Sequence, residues 1–196
     1  MIRLIAVCVL LVGVGYGVAQ TAQPRPATHR TKLKQDTVIQ GYPCAKGYTW
    51  FYADGKLRDC TVSQETQYGE ALIPRGSLIY LKPDGTLSEV NLAHDTRIHS
   101  VLCKGGGILG PAEGASAAFY PSGKLEQCWL AGDQVVQGVP CRHDDDPLGI
   151  LYGLWVKHQD YDLGIEFYES GKLKSCGLAE DFGGQKKNTL WKSAAK

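Results

Sequence analysis

The stretch DQVVQGVPC at residues 133–141 nearly repeats DTVIQGYPC at residues 36–44. Weaker versions are DTRIHSVLC (95–103) and QETQYGEAL (64–72). Each is followed, after a gap of variable length, by a second shared string: FYADGKLRDCTV (51–62), LKPDGTLSEVNL (81–92), FYPSGKLEQCWL (119–130) or FYESGKLKSCGL (167–178). Such internal repetition indicates a repeat architecture, and it divides the chain into units at 36–63, 64–94, 95–132 and 133–181.

The second string predicts a β-hairpin, because apolar residues flank an Asp-Gly or Ser-Gly pair. Phe119 stands four residues before Gly123, and Leu125 stands two after it. A three-residue loop makes Phe119 and Leu125 cross-strand partners, whereas a two-residue loop puts them on opposite faces. Pro121 in the first loop position and Gly123 in the third fit a type I turn closed by a left-handed glycine.

The fold class follows from the number of hairpins. One hairpin cannot bury its apolar face alone, whereas stacked copies can. The first string supplies another short β segment to each unit, and no segment has a long apolar period of 3.6 residues. We therefore predict an all-β fold, a single repeat domain (36–181) of four stacked β-hairpin units with intra-unit disulfides.

The strings F-Y-x-[Asp/Ser]-G-K-L resemble the hairpin units of MORN-type repeat proteins. They are also similar to uncharacterised secreted bacterial repeat proteins with cysteine-containing units. The resemblance covers the turn region of each unit and includes no catalytic motif. It implies a protein that binds or scaffolds.

Six cysteines follow Cys8, and an even count in an exported chain predicts disulfides. Three units have one cysteine at the end of the first string and another in the second. The unit at 64–94 has Leu72 and Val90 there, and joint loss is expected of a bonded pair. The predicted pairs are Cys44–Cys60, Cys103–Cys128 and Cys141–Cys176. The uninterrupted hairpin register puts Cys60 opposite Tyr48, so the chain has to fold back at 45–47 to bring Cys44 close.

The two ends differ from the middle in composition. Residues 1–19 have Arg3, an apolar run and small residues, which predicts a cleaved signal peptide, with a membrane anchor as the alternative. Residues 20–35 are predicted to be a basic disordered linker, and residues 182–196 a basic C-terminal tail. Residues 36–181 contain 12 basic and 20 acidic residues, a formal charge of −8. That balance argues against a nucleic-acid surface on this part.

The units differ most in the gap between their two strings, and such insertions often map to the binding face. The longest insertion, RHDDDPLGILYGLWVKHQDYDLG (142–164), contains the predicted binding residues Tyr152, Trp155, His158 and Tyr161. A structural cap is the alternative role for its aromatic residues. A metal or acid/base cluster around Asp144–Asp146 competes with an ordinary solvated loop.

No nucleophile elbow, zinc-protease motif or phosphate-binding loop occurs, and we predict no catalytic residue, metal ligand or cofactor. We expect a secreted or periplasmic, non-enzymatic binding or scaffolding module at the cell envelope. Its partner is expected to be a protein or an envelope glycan and not a nucleic acid, and the mature chain is expected to have no membrane span. The alternative is an envelope hydrolase with its site in residues 142–164, since carboxylate pairs of glycosidases leave no compact signature.

Overall fold

The computed structural model describes residues 28–106, 116–143 and 164–194. The described ranges contain β-strands and no helix, which confirms the all-β prediction. The strands are β1 (Thr28–Leu33), β2 (Thr37–Ile39), β3 (Tyr42–Cys44), β4 (Gly47–Tyr52), β5 (Leu57–Thr61), β6 (Thr66–Tyr68), β7 (Ala71–Ile73), β8 (Leu78–Leu81), β9 (Leu87–Asn91), β10 (Thr96–Ile98), β11 (Val101–Cys103), β12 (Ala117–Phe119), β13 (Leu125–Cys128), β14 (Gln134–Val136), β15 (Val139–Cys141), β16 (Ile165–Phe167), β17 (Leu173–Gly177) and β18 (Leu190–Lys192). A membrane-spanning helix is not found among the described residues.

Ten strands form one antiparallel sheet in the order β1-β4-β5-β8-β9-β12-β13-β16-β17-β18. The other described strands pair as short hairpins, β2–β3, β6–β7, β10–β11 and β14–β15. Buried residues of the sheet and of the short hairpins belong to one hydrophobic cluster. The short hairpins therefore cover one face of the sheet, here called the inner face, and the opposite one is the outer face.

The long hairpins have the predicted three-residue loop. The Gly123 N–H donates to the Tyr120 carbonyl at 2.8 Å, the Tyr120 N–H donates to the Lys124 carbonyl at 2.9 Å, and Gly123 has φ of 80°. Phe119 faces Leu125, as predicted. The equivalent cross-strand pairs are Phe51–Leu57, Leu81–Leu87 and Phe167–Leu173.

The register shifts by one residue beyond each of these apolar pairs, a bulge that the sequence did not predict. Trp50 faces Asp59, so Arg58 is the extra residue on its strand. The prediction that Cys60 lies opposite Tyr48 is therefore wrong by one residue.

The repeated first string is a complete two-stranded hairpin and not a single β segment. Ile39 faces Tyr42 across the loop Gln40-Gly41, whose φ angles of 51° and 89° fit a type I′ turn. Asp36 accepts the Lys46 N–H at 2.8 Å and so fixes the chain beyond the hairpin. Equivalent bonds join the Gly105 N–H to Asp95 and the His143 N–H to Asp133.

In residues 64–94 the short hairpin is offset from the predicted alignment. Thr66 faces Ile73, as Thr37 faces Cys44. Ile73 therefore occupies the place of Cys44, and the assignment of Leu72 to that place is wrong. The physical reason is burial: Ile73 is 1% exposed, whereas Leu72 is 42% exposed on the far side of the hairpin.

The cysteine pairs predicted from the repeat lie at disulfide distance. Their Cα–Cα separations are 5.7 Å for Cys44–Cys60, 5.8 Å for Cys103–Cys128 and 5.6 Å for Cys141–Cys176. The chain does turn back after Cys44, since the Ala45 N–H donates to the Thr61 carbonyl at 2.7 Å. Each pair joins a short hairpin to the long sheet.

Two predictions about the ends need correction. The predicted linker at 20–35 contains β1, which pairs with β4 along its whole length. The predicted tail at 182–196 contains β18, which pairs with β17. Edge strands have one neighbour only, so their sequences need little of the apolar alternation used to recognise strands. Residues 1–27, including the predicted signal peptide, lie outside the described ranges.

Candidate functional site

Strands β1, β4 and β5 bring aromatic and cationic side chains together on the outer face. Thr49 is fully buried, and because side chains alternate along a strand, Tyr48 and Trp50 lie on the opposite, outer side. Arg30 faces Trp50, and Lys32 faces Tyr48. These residues and Arg58 are here called the outer-face cluster.

The cluster is held by cation–π contacts. The Arg30 guanidinium carbon lies 4.2 Å from the Tyr48 ring centroid and 5.6 Å from that of Trp50. The Arg58 guanidinium lies 5.7 Å from the Trp50 ring, and the Lys32 ammonium lies 5.7 Å from the Tyr48 ring. A cation within about 6 Å of an aromatic ring centroid is attracted to the ring face. Trp50 therefore contacts two guanidinium groups, while Tyr48 remains 56% exposed.

One carboxylate adjoins the cluster. Asp59 Oδ2 lies 3.5 Å from Arg58 Nε, and Asp59 is 5% exposed. Burial raises the pKa of Asp59, and the charge of Arg58 opposes that rise. Among the described carboxylates, Asp59 is the one that forms an ion pair with any of the three cluster cations, and residues 36–181 as a whole have a net acidic charge.

A row of facing residues continues from the cluster across the outer face. Pairings along all ten strands connect Arg30, Trp50, Asp59, Tyr80, Glu89, Ala118, Gln127, Glu166, Ser175 and Lys192. Burial is the main cause that raises the pKa of Tyr80, and the neighbouring Asp59 raises it further. At the far end, Glu166 accepts hydrogen bonds from Ser175 at 3.1 Å and Lys174 at 2.8 Å. The cation–π contacts thus lie at the β1 end, and Glu166 with its paired Ser175 and Lys174 lies at the other.

The cluster is suited to binding. Aromatic rings offer flat apolar faces, and a guanidinium group stacked on a ring keeps hydrogen-bond donors at its edge for an anion. A group of three or more His, Cys, Asp or Glu side chains that could hold a metal ion is not found in the part of the chain that the structure describes.

A concave surface lies between hairpin tips, with a cavity volume of about 300 Å³. Leu125 and Phe167 supply apolar lining, and Lys124 lies at the same cavity. His99 Nδ1 lies 3.1 Å from Glu70 Oε2, so two ionisable side chains that line this cavity already contact each other.

The binding residues predicted from sequence, Tyr152, Trp155, His158 and Tyr161, lie outside the described residues, and so does the Asp144–Asp146 run. His143, at the start of that insertion, is described. Its Nδ1 lies 2.6 Å from Asp133 Oδ1, and hydrogen bonds from the His143 side chain and backbone lower the pKa of Asp133. His143 therefore helps to fix the end of the short hairpin.

Sequence reasoning missed the outer-face cluster. Two period-2 patterns were present, Arg30-x-Lys32 and Tyr48-x-Trp50. Recognising their relation required the pairing of β1 with β4, and the whole β2–β3 hairpin separates these strands. The first pattern was assigned to a linker and the second only to a hairpin arm.

Comparisons with protein-family models, with curated proteins and with solved structures found no match to this chain.

Proposed function

We propose that this protein is a non-catalytic binding module of the cell envelope and that the outer-face cluster is its ligand surface. The observation that carries the proposal is the contact of Trp50 with the guanidinium groups of both Arg30 and Arg58. Trp, Tyr and Arg are the residue types that most often dominate binding energy. Here they are gathered at one end of a broad sheet.

The proposal includes a stack of four β-hairpin units as the scaffold for this surface. The equal turns and registers of the long hairpins support it, as do side-chain bonds between neighbours. The Tyr52 hydroxyl donates to the Leu81 carbonyl at 2.7 Å, and the Tyr120 hydroxyl donates to the Phe167 carbonyl at 2.8 Å. Such links make the orientation of one unit depend on the next.

The proposed location is secreted or periplasmic. Disulfides persist in oxidising compartments and are rare where thiols are kept reduced. The three cysteine pairs at disulfide distance are compatible with such a compartment. A ligand at the cell envelope would be accessible from there.

A binding role is preferred to hydrolysis for a reason of access. A general acid or base must come within hydrogen-bond reach of the reacting group. The carboxylate of Asp59 contacts the cluster through Arg58, and its side chain is only 7% exposed. The guanidinium groups and rings supply contacts and no nucleophile.

The insertion at 144–162 remains a second proposed contact surface, based on its aromatic residues. Replacing it with a Gly-Ser bridge is expected to preserve the fold and the three disulfides. Loss of ligand capture in that variant would assign contact to the insertion, and unfolding would identify it as a structural cap.

The binding role can be tested by co-sedimentation of the purified chain with envelope material. Trp50→Ala should abolish retention, because the central ring of the cluster is removed. Val135→Ser is the matched control, since Val135 is 73% exposed and lies in the short-hairpin layer. Equal retention of Trp50→Ala and the unaltered protein would exclude the cluster as the ligand surface. Release of soluble sugar or peptide fragments from the material would contradict a non-catalytic role.

A further inference from the structure

We propose that the outer-face cluster binds an acidic polysaccharide, a chain of sugar rings that carries carboxylate or sulfate groups. This inference rests on the proposed binding function and adds the chemical class of the ligand. It follows from three properties of the cluster: the exposed Tyr48 ring, guanidinium groups held against the aromatic rings, and an extended sheet face as the setting.

The aromatic faces suit sugar rings. The face of an aromatic ring is electron-rich, so it attracts the weakly positive C–H groups that line one side of a pyranose. Tyr48 is 56% exposed, so the part of its ring that Arg30 and Lys32 leave uncovered is available to a sugar. Trp50, two residues along the same strand, extends the platform on the same side of the sheet.

The stacked cations suit the acidic groups of such a chain. Arg30 contacts both Tyr48 and Trp50, which restricts its guanidinium plane before any ligand arrives. A guanidinium fork binds carboxylate or sulfate oxygens in pairs, and a fixed fork loses less entropy on binding. Arg30 and Lys32 have no salt bridge to any described carboxylate, whereas Arg58 contacts Asp59.

The setting favours a polymer over a small anion. A small anion needs a concave site that surrounds it, and this cluster lies on an exposed sheet face. The outer face continues for ten strands, about 43 Å at the usual strand spacing of about 4.8 Å. A polymer can contact several cations of the cluster at once, and linkage makes the later contacts effectively intramolecular.

A nucleic acid would also combine rings with negative charge, but the rest of the molecule disfavours it. Residues 36–181 have a formal charge of −8, and phosphate backbones need cations along their whole path. An acidic polysaccharide also offers hydroxyl groups and C–H faces to polar and aromatic side chains, so its contacts do not depend on cations along its whole path. Single-stranded DNA is therefore a competitor in the test.

The test measures the affinity of the whole chain for polygalacturonate, neutral dextran and oligodeoxythymidylate by affinity electrophoresis at low and high salt. Polygalacturonate should bind, and its affinity should fall as salt rises because the contacts are partly ionic. Dextran should bind at least about tenfold more weakly, because it cannot use the guanidinium groups. Tighter binding of oligodeoxythymidylate than of polygalacturonate would overturn the proposal, and so would equal binding of dextran.

Variants locate the contact. Arg30→Gln should weaken polygalacturonate binding by about tenfold or more, and Arg30→Lys should have an intermediate effect because it keeps the charge without the planar fork. Lys172→Gln is the control for simple loss of charge, since Lys172 is exposed on a turn near the other end of the sheet. An equal loss of polygalacturonate affinity in Lys172→Gln would show that only the net charge of the protein matters, and it would overturn the proposal.

The two proposals fail in different ways. If polygalacturonate does not bind while envelope material is still retained through Trp50, the acidic-polysaccharide assignment is wrong and the binding surface stands. If envelope retention does not depend on Trp50, both proposals are wrong. Because Arg30 is exposed on an edge strand, Arg30→Gln is expected to fold normally and provides a readout even if Trp50→Ala is unstable.

Discussion

At the scale of single residues, Thr49 combines full burial with an unused hydroxyl. It is the one buried side chain among the described residues whose oxygen has no hydrogen-bond partner. Its neighbours on the strand, Tyr48 and Trp50, belong to the outer-face cluster. Burial of Thr49 against the inner layer thus fixes which way those rings face, and the unpaired hydroxyl costs stability.

Thr49→Val should stabilise the protein by about 1 kcal/mol, because a methyl group replaces a buried hydroxyl that forms no hydrogen bond. The measurement is the free energy of unfolding in denaturant. Thr31→Val is the control: Thr31 faces Thr49 but is exposed, so its effect should stay within about 0.5 kcal/mol. A loss of stability in Thr49→Val would show that the Thr49 hydroxyl does form a stabilising hydrogen bond.

Asp59 should make stability depend on pH in an unusual direction for a carboxyl group. Burial raises its pKa above the ordinary 3.8, so the folded protein holds the proton more tightly than the unfolded chain does. Protonation of Asp59 therefore stabilises the folded protein. This stabilisation is present below pH 3.8 and is lost as pH rises through the raised pKa.

Asp59→Asn should consequently be more stable than the unaltered protein at neutral pH and should lose that advantage in acid. Thermal unfolding of both proteins across the acidic and neutral range measures the difference. The opposite result, in which Asp59→Asn is less stable than the unaltered protein at neutral pH, would mean that the attraction of Asp59 to Arg58 outweighs the cost of its burial.

At the scale of elements, the long hairpins repeat one turn, but their tips have different surroundings. Gly123 and Gly171 both have positive φ, at 80° and 83°. A Cβ at Gly171 would meet nothing within 4 Å, whereas a Cβ at Gly123 would lie 2.9 Å from the Gly69 Cα. The turn at Gly123 therefore also forms a close contact with the short hairpin β6–β7.

Gly171→Ala should cost about 1–2 kcal/mol, the usual penalty of a side chain in the left-handed region. Gly123→Ala should cost at least about 1 kcal/mol more, because backbone must also move. Denaturant unfolding of the two variants measures both terms, with Gly171→Ala as the matched control. Equal losses would contradict the close contact between the two hairpins.

The hairpin elements show what local sequence can predict. The pairs Phe51–Leu57 and Phe119–Leu125 followed from counting residues around a glycine, since turn geometry depends on a few adjacent residues. The bulge at Arg58 did not follow, because it depends on how the strand fits its next neighbour. The offset of Ile73 was missed because the β6–β7 turn is Gly69-Glu70 in place of Gln-Gly.

The candidate site was less predictable than the hairpins for the same physical reason. Arg30 and Trp50 meet through pairing between strands that are distant along the chain, and no local signal encodes that pairing. Apolar alternation, the usual strand signal, is weak in β1, because its Thr, Arg and Lys residues form an exposed edge. Aromatic residues of the insertion were more conspicuous in the sequence.

At the scale of the whole molecule, the cysteine pairs join the two layers that form the core. In residues 64–94, Ile73 and Val90 occupy the corresponding positions, at 1% and 0% exposure. Apolar packing replaces the disulfide in this unit. The same pair of apolar residues can therefore be substituted for a disulfide in another unit.

The double variant Cys44→Ile/Cys60→Val copies that apolar pair. It should fold, but it should be less stable than the unaltered protein by about 3 kcal/mol, because the unfolded chain regains the freedom that the cross-link removes. Denaturant unfolding without reductant measures the loss. Non-reducing peptide mapping of this variant should still find Cys103–Cys128 and Cys141–Cys176, and any bridge between different units would contradict the pairing.

Ligand binding by the outer-face cluster can be tested without altering the protein. Backbone and indole amide chemical shifts of the isotope-labelled chain would be followed by NMR as a short polygalacturonate is added. We expect the perturbed signals to lie on β1, β4 and β5, with the Trp50 indole among the largest. Perturbations confined to the short-hairpin layer, or to the insertion at 144–162, would contradict the assignment of binding to the outer-face cluster.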